Sequence, residues 1–330
     1  MKLFFAFLLS FLFTVYIIPH LRKLALKFNM VDVPDGKIKF HKKPTPYLGG
    51  VAVYFGFITS LALTFPFENN MFLFFVGSTL LLFIGLLDDL IVMSPVQKFV
   101  GQIIATFCFL KAGFYLKQHF FFNNLLNIPI SFLWILSVIN AFNLIDVMDG
   151  LATLLACFAS AAFLVFAIIL GHSTLAILLG AFLGALVGFF LFNKPTAKIY
   201  LGDAGSLFIG GFLATIPFLF SWGTYNDFGY LTPIVILAIP LLEIVSLILI
   251  RSYKKIPFYR GSPDHFSMYL QRRGWGNVQV LLYSAGASLF LFICAFLFFI
   301  RALYIPGFLI SGIVFLVIWY FMLFFNNSLA

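Results

Sequence analysis

The residues best suited to chemistry are carboxylates, amides and lysines gathered in short gaps between long apolar runs. The densest gap is Asn193-Lys-Pro-Thr-Ala-Lys-Ile-Tyr-Leu-Gly-Asp-Ala-Gly-Ser206. Pro195 ends the run before it. Gly202-Asp-Ala-Gly-Ser206 has the composition of a tight turn opening a helix, whose free N–H groups can face an anion. Asp203 taken alone reads equally well as the N-cap of that helix. A second gap holds Asp88-Asp89 at the end of an apolar run. Paired carboxylates at a helix C-terminus meet the negative end of the macrodipole and require a cation. A divalent ion suits that need, or a lysine from another loop, because the next basic residue in the chain is Lys98.

Asn140-Ala-Phe-Asn-Leu-Ile-Asp-Val-Met-Asp-Gly150 places Asn140, Asn143, Asp146 and Asp149 three residues apart. At helical pitch these form a drifting polar strip, broken by Gly150, that suits amides reading a base or ribose beside carboxylates near a metal. Asp149 could instead cap the following helix. The first gap contains His41-Lys-Lys-Pro-Thr-Pro46 with Gly49-Gly50. Two prolines stiffen Thr45, and the glycines permit close backbone approach, a rigid basic segment suited to phosphate. The last gap contains Arg260, Asp264 and His265, which could meet a diphosphate, and Glu243 lies deep in the apolar run before it. A buried acid in such a run usually faces the protein interior.

These gaps are held by a chain of 330 residues that is 63% hydrophobic and 9% charged, with 48 phenylalanines. That composition is a membrane protein's, and it excludes an ordinary soluble domain. Eleven apolar runs approach the roughly 20 residues that a span requires. The expected fold is therefore all-α: one polytopic helical domain over residues 1–330 with about eleven transmembrane helices. Sixteen of the 20 basic residues fall in alternate gaps, which the positive-inside rule places in the cytoplasm. The N-terminus would then lie outside, the C-terminus inside, and the polar gaps at the cytoplasmic face of the plasma membrane. Cys108, Cys157 and Cys294 lie within apolar runs without ligand spacing and read as small core residues. The net charge of +9 restates the loop asymmetry and an attraction to anionic lipid or substrate, with no support for nucleic-acid binding.

Taken in order, the His41 to Pro46 segment with Gly49-Gly50, Asp88-Asp89, the Asn140 to Gly150 strip and Asn193 to Ser206 resemble the polyprenyl-phosphate N-acetylhexosamine-1-phosphate transferases. The resemblance covers most of the chain. It implies transfer of a sugar 1-phosphate from a UDP-sugar to a polyprenyl phosphate in the membrane, with release of UMP and with Mg²⁺, or Mn²⁺ in its place. It implies that Asp203 coordinates the metal and that Asp88 and Asp89 lie beside the metal and the acceptor phosphate, one of them a candidate base. Asn140, Asn143, Asp146, Asp149 and Asn193 would line the donor. Lys98 would help neutralise phosphate; Lys198, His41, Thr45 and Arg260 are further substrate-binding candidates, and His265 a further catalytic one. Homodimers are common in the family. The Pro-Thr-Pro segment is similar to the N-acetylglucosamine branch, whereas Glu243 with Ser246 is similar to the phospho-MurNAc-pentapeptide branch. Only His265 remains where the family has a histidine-rich segment, and Val147 stands where glycine is common, so the sugar stays open between those branches. A transporter is the alternative from another class; the gathering of acids in gaps on one face and the lack of an internal repeat weigh against it.

Overall fold

The computed structural model of the protein describes residues 1–32, 45–66, 71–117, 124–257 and 262–324. His41 and Arg260 lie outside the described residues. All eleven apolar runs form helix, and the chain divides into two compact units, 1–220 and 221–330.

The first unit contains α1 (Lys2–Lys27), α2 (Gly49–Thr64), α3 (Phe72–Ile91), α4 (Pro95–Lys111), α5 (Asn127–Ile145), α6 (Leu151–Ile169), α7 (Ser173–Asn193) and α8 (Gly202–Thr215). Its centre is α8, in which every residue from Ala204 to Thr215 is buried. Helices α2, α3, α5 and α6 all pack against it. Aromatic side chains fill the space around it: Phe182 stacks on Phe212 with ring centroids 3.8 Å apart, and Phe57 meets Phe212 edge-on. Gly180, Gly184 and Gly188 face Leu3, Phe7 and Phe11, so the small-residue stripe of α7 lets α1 lie close against it. A two-residue antiparallel bridge pairs Val31–Asp32 (β1) with Thr45–Pro46 (β2), in the register Val31 to Pro46 and Asp32 to Thr45.

The second unit contains α9 (Thr232–Ile236), α10 (Ala238–Tyr253), α11 (Phe266–Arg272), α12 (Asn277–Phe299) and α13 (Ile305–Phe324). The apolar stretches Gly229–Ile236 and Ala238–Tyr253 meet at a bend of 70°.

Among the described residues, seven helices are long and apolar enough to cross a membrane, or eight if the bent pair is one span. The expected eleven exceeds that number for a geometric reason. Helix α2 has 16 residues and α4 has 17. At 1.5 Å per residue they rise about 25 Å, short of a hydrocarbon core of about 30 Å. In α13 the qualifying apolar stretch is the shorter Gly307–Val317. Hydropathy registers all of these runs alike, because it does not see where each helix begins and stops. A helical, multi-pass membrane protein is the architecture that length and composition support.

Candidate active site

The polar residues of the first unit gather where the end of α3, the start of α4, the end of α5 and the start of α8 converge. Each of those ends is specified locally. Ser94 caps α4: its Oγ accepts from the Gln97 N–H at 3.3 Å, and Gln97 Oε1 accepts from the Ser94 N–H at 3.0 Å, with Pro95 in the first turn. This reciprocal capping box fixes where α4 starts and so puts Lys98 in its first turn. One turn further on, Gln102 is 1% exposed and exchanges hydrogen bonds with Asn140: Asn140 Nδ2 donates to Gln102 Oε1 at 2.8 Å, and Gln102 Nε2 donates to Asn140 Oδ1 at 3.3 Å. The pair locks α4 to α5 and sets the height at which Lys98 meets the acids.

Lys98 Nζ lies 2.9 Å from Asp88 Oδ2 and 2.6 Å from Asp203 Oδ2. The cation required by the carboxylates at the end of α3 is thus the next lysine in the chain. Asp88 Oδ1 also accepts from the Met93 N–H at 2.7 Å, which closes the last turn of α3. Asn143 Nδ2 donates to Asp203 Oδ1 at 2.6 Å and to Ser206 Oγ at 3.0 Å, tying α5 to the first turn of α8. Asp203 is not the cap of α8; the cap position is Leu201. The first-turn N–H groups are met instead by Asp89, whose Oδ1 accepts from Asp203 N–H at 2.9 Å and whose Oδ2 accepts from Ala204 N–H at 3.1 Å. Gly202 makes this approach possible. Its φ is +73°, and a Cβ there would lie 2.6 Å from Asp89 Oδ2.

The strip on α5 divides by role. Asn140 faces Gln102, Asn143 faces Asp203, and Asp146 follows the last turn of α5. No donor is paired with Asp146 among the described residues. Burial first, and then the charges of Asp203, Asp89 and Asp149, push its carboxyl well above the ordinary range. Asp149 does not cap α6, whose cap is Gly150; its Oδ2 accepts from the Ala197 N–H at 2.9 Å. Asn193 is 3% exposed and satisfied at both ends, accepting from Thr153 Oγ1 at 2.8 Å and donating to the Ile199 carbonyl at 3.1 Å. Asp149 and Asn193 therefore hold the loop between α7 and α8 in shape. Lys198 in that loop is exposed.

Thr45, Pro46 and the following glycines dock on the same loop. The N–H groups of Gly49 and Gly50 donate to the carbonyls of Tyr200 and Leu201 at 2.9 and 2.8 Å, and Tyr200 N–H donates to the Pro46 carbonyl at 2.9 Å. Thr45 is hydrogen-bonded to the Tyr200 hydroxyl. Beside it, Tyr47 OH donates to Asp32 Oδ1 at 2.7 Å. Burial, the Asp32 hydrogen bond and the charges of Asp32, Asp89 and Asp203 all push the Tyr47 phenol upward, so its proton is firmly held. Sequence reasoning missed Gln102, Tyr47 and Tyr200 as members of this site. The Ser94-Pro-Val-Gln97 capping box was the signal that would have fixed the register of α4 and brought Gln102 into view.

His265 belongs to the second unit. Its Nδ1 lies 2.9 Å from Glu243 Oε1, and Glu243, 1% exposed, also accepts from the Phe266 N–H. Asp264 Oδ1 accepts from Lys254 Nζ at 2.6 Å and from Tyr269 OH at 3.1 Å. Burial alone would raise the Asp264 carboxyl, but the hydrogen bonds from Lys254, Ser262 and Tyr269, with the Lys254 charge, hold it below the usual range. Burial, with the Asp264 charge and hydrogen bond, pushes Tyr269 up to about 12.

The donor set of the first unit is oxygen throughout, the chemistry of a hard cation such as Mg²⁺. Among the described residues no group of three acids, histidines or cysteines is disposed to hold a metal by itself. Mg²⁺ does not require one, since it binds through one or two carboxylates and completes its shell with water and substrate phosphate. Asp203 and Asp88, both paired with the Lys98 amine, fit that requirement.

A helical multi-pass membrane protein with a carboxylate-rich polar site is the class that this fold and geometry define. Residues 71–221, which include Asp88, Asp89, Lys98, Asn143 and Asp203, match the model of glycosyl transferase family 4. The chain belongs to that family. It is 30% identical over 279 residues, 82% of this chain and 77% of the relative, to a probable undecaprenyl-phosphate N-acetylglucosaminyl 1-phosphate transferase of Bacillus subtilis. It is 31% identical over 321 residues, 86% of this chain and 93% of the relative, to a phospho-N-acetylmuramoyl-pentapeptide-transferase of Listeria monocytogenes. An undecaprenyl-phosphate alpha-N-acetylglucosaminyl 1-phosphate transferase of Yersinia pestis is 28% identical over 86% of this chain. Membership of this family displaces the transporter alternative.

Proposed function

We propose that the protein transfers a sugar 1-phosphate from a UDP-sugar to undecaprenyl phosphate at the cytoplasmic face of the plasma membrane, with N-acetylglucosamine 1-phosphate the favoured group. In that reaction an oxygen of the acceptor phosphate attacks the sugar-bearing phosphorus of the donor. The bond to the UMP oxygen breaks, and a polyprenyl diphospho-sugar and UMP result. The observation that carries the reading is the Asp88, Lys98, Asp203 and Asn143 cluster, formed from three separate polar gaps and lying within the family match.

Bringing two phosphates together concentrates negative charge, and the gain from offsetting it is greatest in a partly dry site. Lys98 would offset that charge, and Asn143 holds the Asp203 carboxylate in place through its hydrogen bond. Mg²⁺, or Mn²⁺ in its place, would be held by Asp203 and Asp88 and would supply further neutralisation of the phosphates. A phosphate oxygen is already nucleophilic, so positioning supplies much of the rate without a dedicated base. Asp146 and Asp149 are assigned to the donor side, with Lys198, His41, Arg260 and His265 as further phosphate or substrate contacts. Eleven crossings with the N-terminus outside would place all of these on one face.

A second reading, transfer of phospho-MurNAc-pentapeptide, is favoured by the alignment over 93% of the Listeria relative. Purified protein offered undecaprenyl phosphate with UDP-N-acetylglucosamine or with UDP-MurNAc-pentapeptide separates the two. Lipid-linked product from the first donor alone supports the N-acetylglucosamine reading, and product from the second alone replaces it.

A further inference from the structure

We propose that Asp89 is a positioning residue that sets the first turn of α8 and thereby aims Asp203, rather than a group that touches metal or substrate. The inference deepens the transferase reading and rests on it for the importance of Asp203. Three observations carry it. First, both Asp89 oxygens are taken by main-chain N–H groups, those of Asp203 and Ala204. Asp88 and Asp203 differ: each has an oxygen on Lys98, a side chain that can move aside for a ligand. Second, the two N–H groups belong to the first turn of α8, where no carbonyl of the helix can reach them, and no side chain of α8 caps them. Asp89 supplies from α3 the acceptor that α8 lacks. Third, the backbone is shaped to admit this carboxylate and little more. Gly202 at φ +73° has its side-chain position filled by Asp89 Oδ2, and the Cβ position of Gly85, one turn earlier on α3, is filled by the Asp203 main chain.

Asparagine at position 89 keeps one acceptor but turns an NH₂ toward the second N–H, two donors facing each other. The Asp203 turn then loses one hydrogen bond to a charged group, and alanine loses both. An alanine at Gly202 displaces the same carboxylate from the other side while leaving Asp89 intact. All three variants should loosen the same turn.

The test is amide exchange of the peptide covering Gly202 to Ser206 in the full chain in detergent, for wild type, Asp89→Asn, Asp89→Ala, Gly202→Ala and Asp88→Asn. A hydrogen bond to a charged group corresponds to about ten- to hundredfold protection. Exchange at that peptide should therefore rise by at least about tenfold in the first three variants and stay near wild type in Asp88→Asn. UMP release should fall in the same three, with the shape of the pH profile and the KM for donor unchanged. Unchanged exchange in a folded Asp89→Asn protein that has lost turnover overturns the proposal and makes Asp89 a group acting on substrate; so does the loss of one limb of the pH profile in that variant. If alanine fails to fold, Asp89→Asn and Gly202→Ala still decide the matter. Exchange does not depend on turnover, so a wild type that releases no UMP from any donor counts against the transferase reading alone and leaves the cap test standing.

Discussion

The two units of this protein handle buried charge in opposite ways. In the second, each acid of the polar cluster has its own partner: Glu243 meets His265 and the Phe266 N–H, and Asp264 meets Lys254 and Tyr269. Among the described residues of the first, Lys98 is the cation paired with both Asp88 and Asp203, Asp89 is spent on backbone, and Asp146 has no donor. A cluster in which each acid has a partner is held without an added cation. A cluster with surplus negative charge is costly to bury and is retained where a ligand completes it. The first unit is accordingly the place to look for chemistry, and the acids that lack a cation of their own among the described residues are what a cation and a phosphate-bearing substrate would balance.

The contrast can be broken most forcefully at Lys98. Lys98→Ala removes the shared cation, and turnover should fall by about 10²- to 10³-fold, the scale of losing one preorganised charge-stabilising group. Initial rates of UMP release measure it; a loss under about threefold would show that Lys98 is only a structural counter-ion. In the second unit, Glu243→Gln leaves His265 and the Phe266 N–H with a weaker acceptor. It should cost about 1–3 kcal/mol of stability, read as a lower unfolding temperature of the full chain, and unchanged stability would show that the cluster does not brace the unit. Gln102→Leu tests the link between packing and site. It leaves the Asn140 amide half-satisfied, and a stability loss of about 1–2 kcal/mol should accompany a fall in turnover as Lys98 loses its register.

The smallest expected effect sharpens the comparison from the opposite side. Asp146 has its folded pKa raised by burial and by neighbouring acids, above an unfolded value of about 3.9. The unfolded chain then ionises first as pH rises, so this residue subtracts stability through the interval above pH 4 and most fully above its folded pKa. Asp146→Asn should therefore raise the unfolding temperature in metal-free buffer, more at pH 8 than at pH 5, and added Mg²⁺ should narrow the difference. An Asn variant less stable than wild type at pH 8 would contradict the surplus-charge account.

Much of this was legible in the sequence, for reasons that differ by residue. Asp88, Asp203 and Asn143 stood out because polar groups are expensive in a chain this apolar, and the three-residue spacing put Asn143 in the α5 polar strip, although it did not show that Asn143 meets Asp203 of α8. The division of labour among the aspartates was not legible. Asp88 and Asp89 are adjacent and chemically identical, yet a rotation of about 100° per residue sends one to Lys98 and the other to the α8 backbone. The hydrogen bonds of Asn193 and Asp149 to Thr153 and to the Ala197 N–H were not legible either, because nothing local reveals those partners. Glu243 was recognisable as an inward-facing acid, but its partner His265 is 22 residues away and only tertiary structure pairs them. Seven or eight of the expected eleven spans are long enough among the described residues, a difference that composition could not show because it does not report helix length.

The most direct test of the central claim is UMP release by purified protein with undecaprenyl phosphate and a panel of UDP-sugars, with and without Mg²⁺, for wild type and Asp203→Asn. The account predicts UMP and a lipid-linked sugar diphosphate from wild type in the presence of metal, and loss of both in the variant. Folded wild-type protein that turns over none of the donors, or an Asp203→Asn variant as active as wild type, would contradict it.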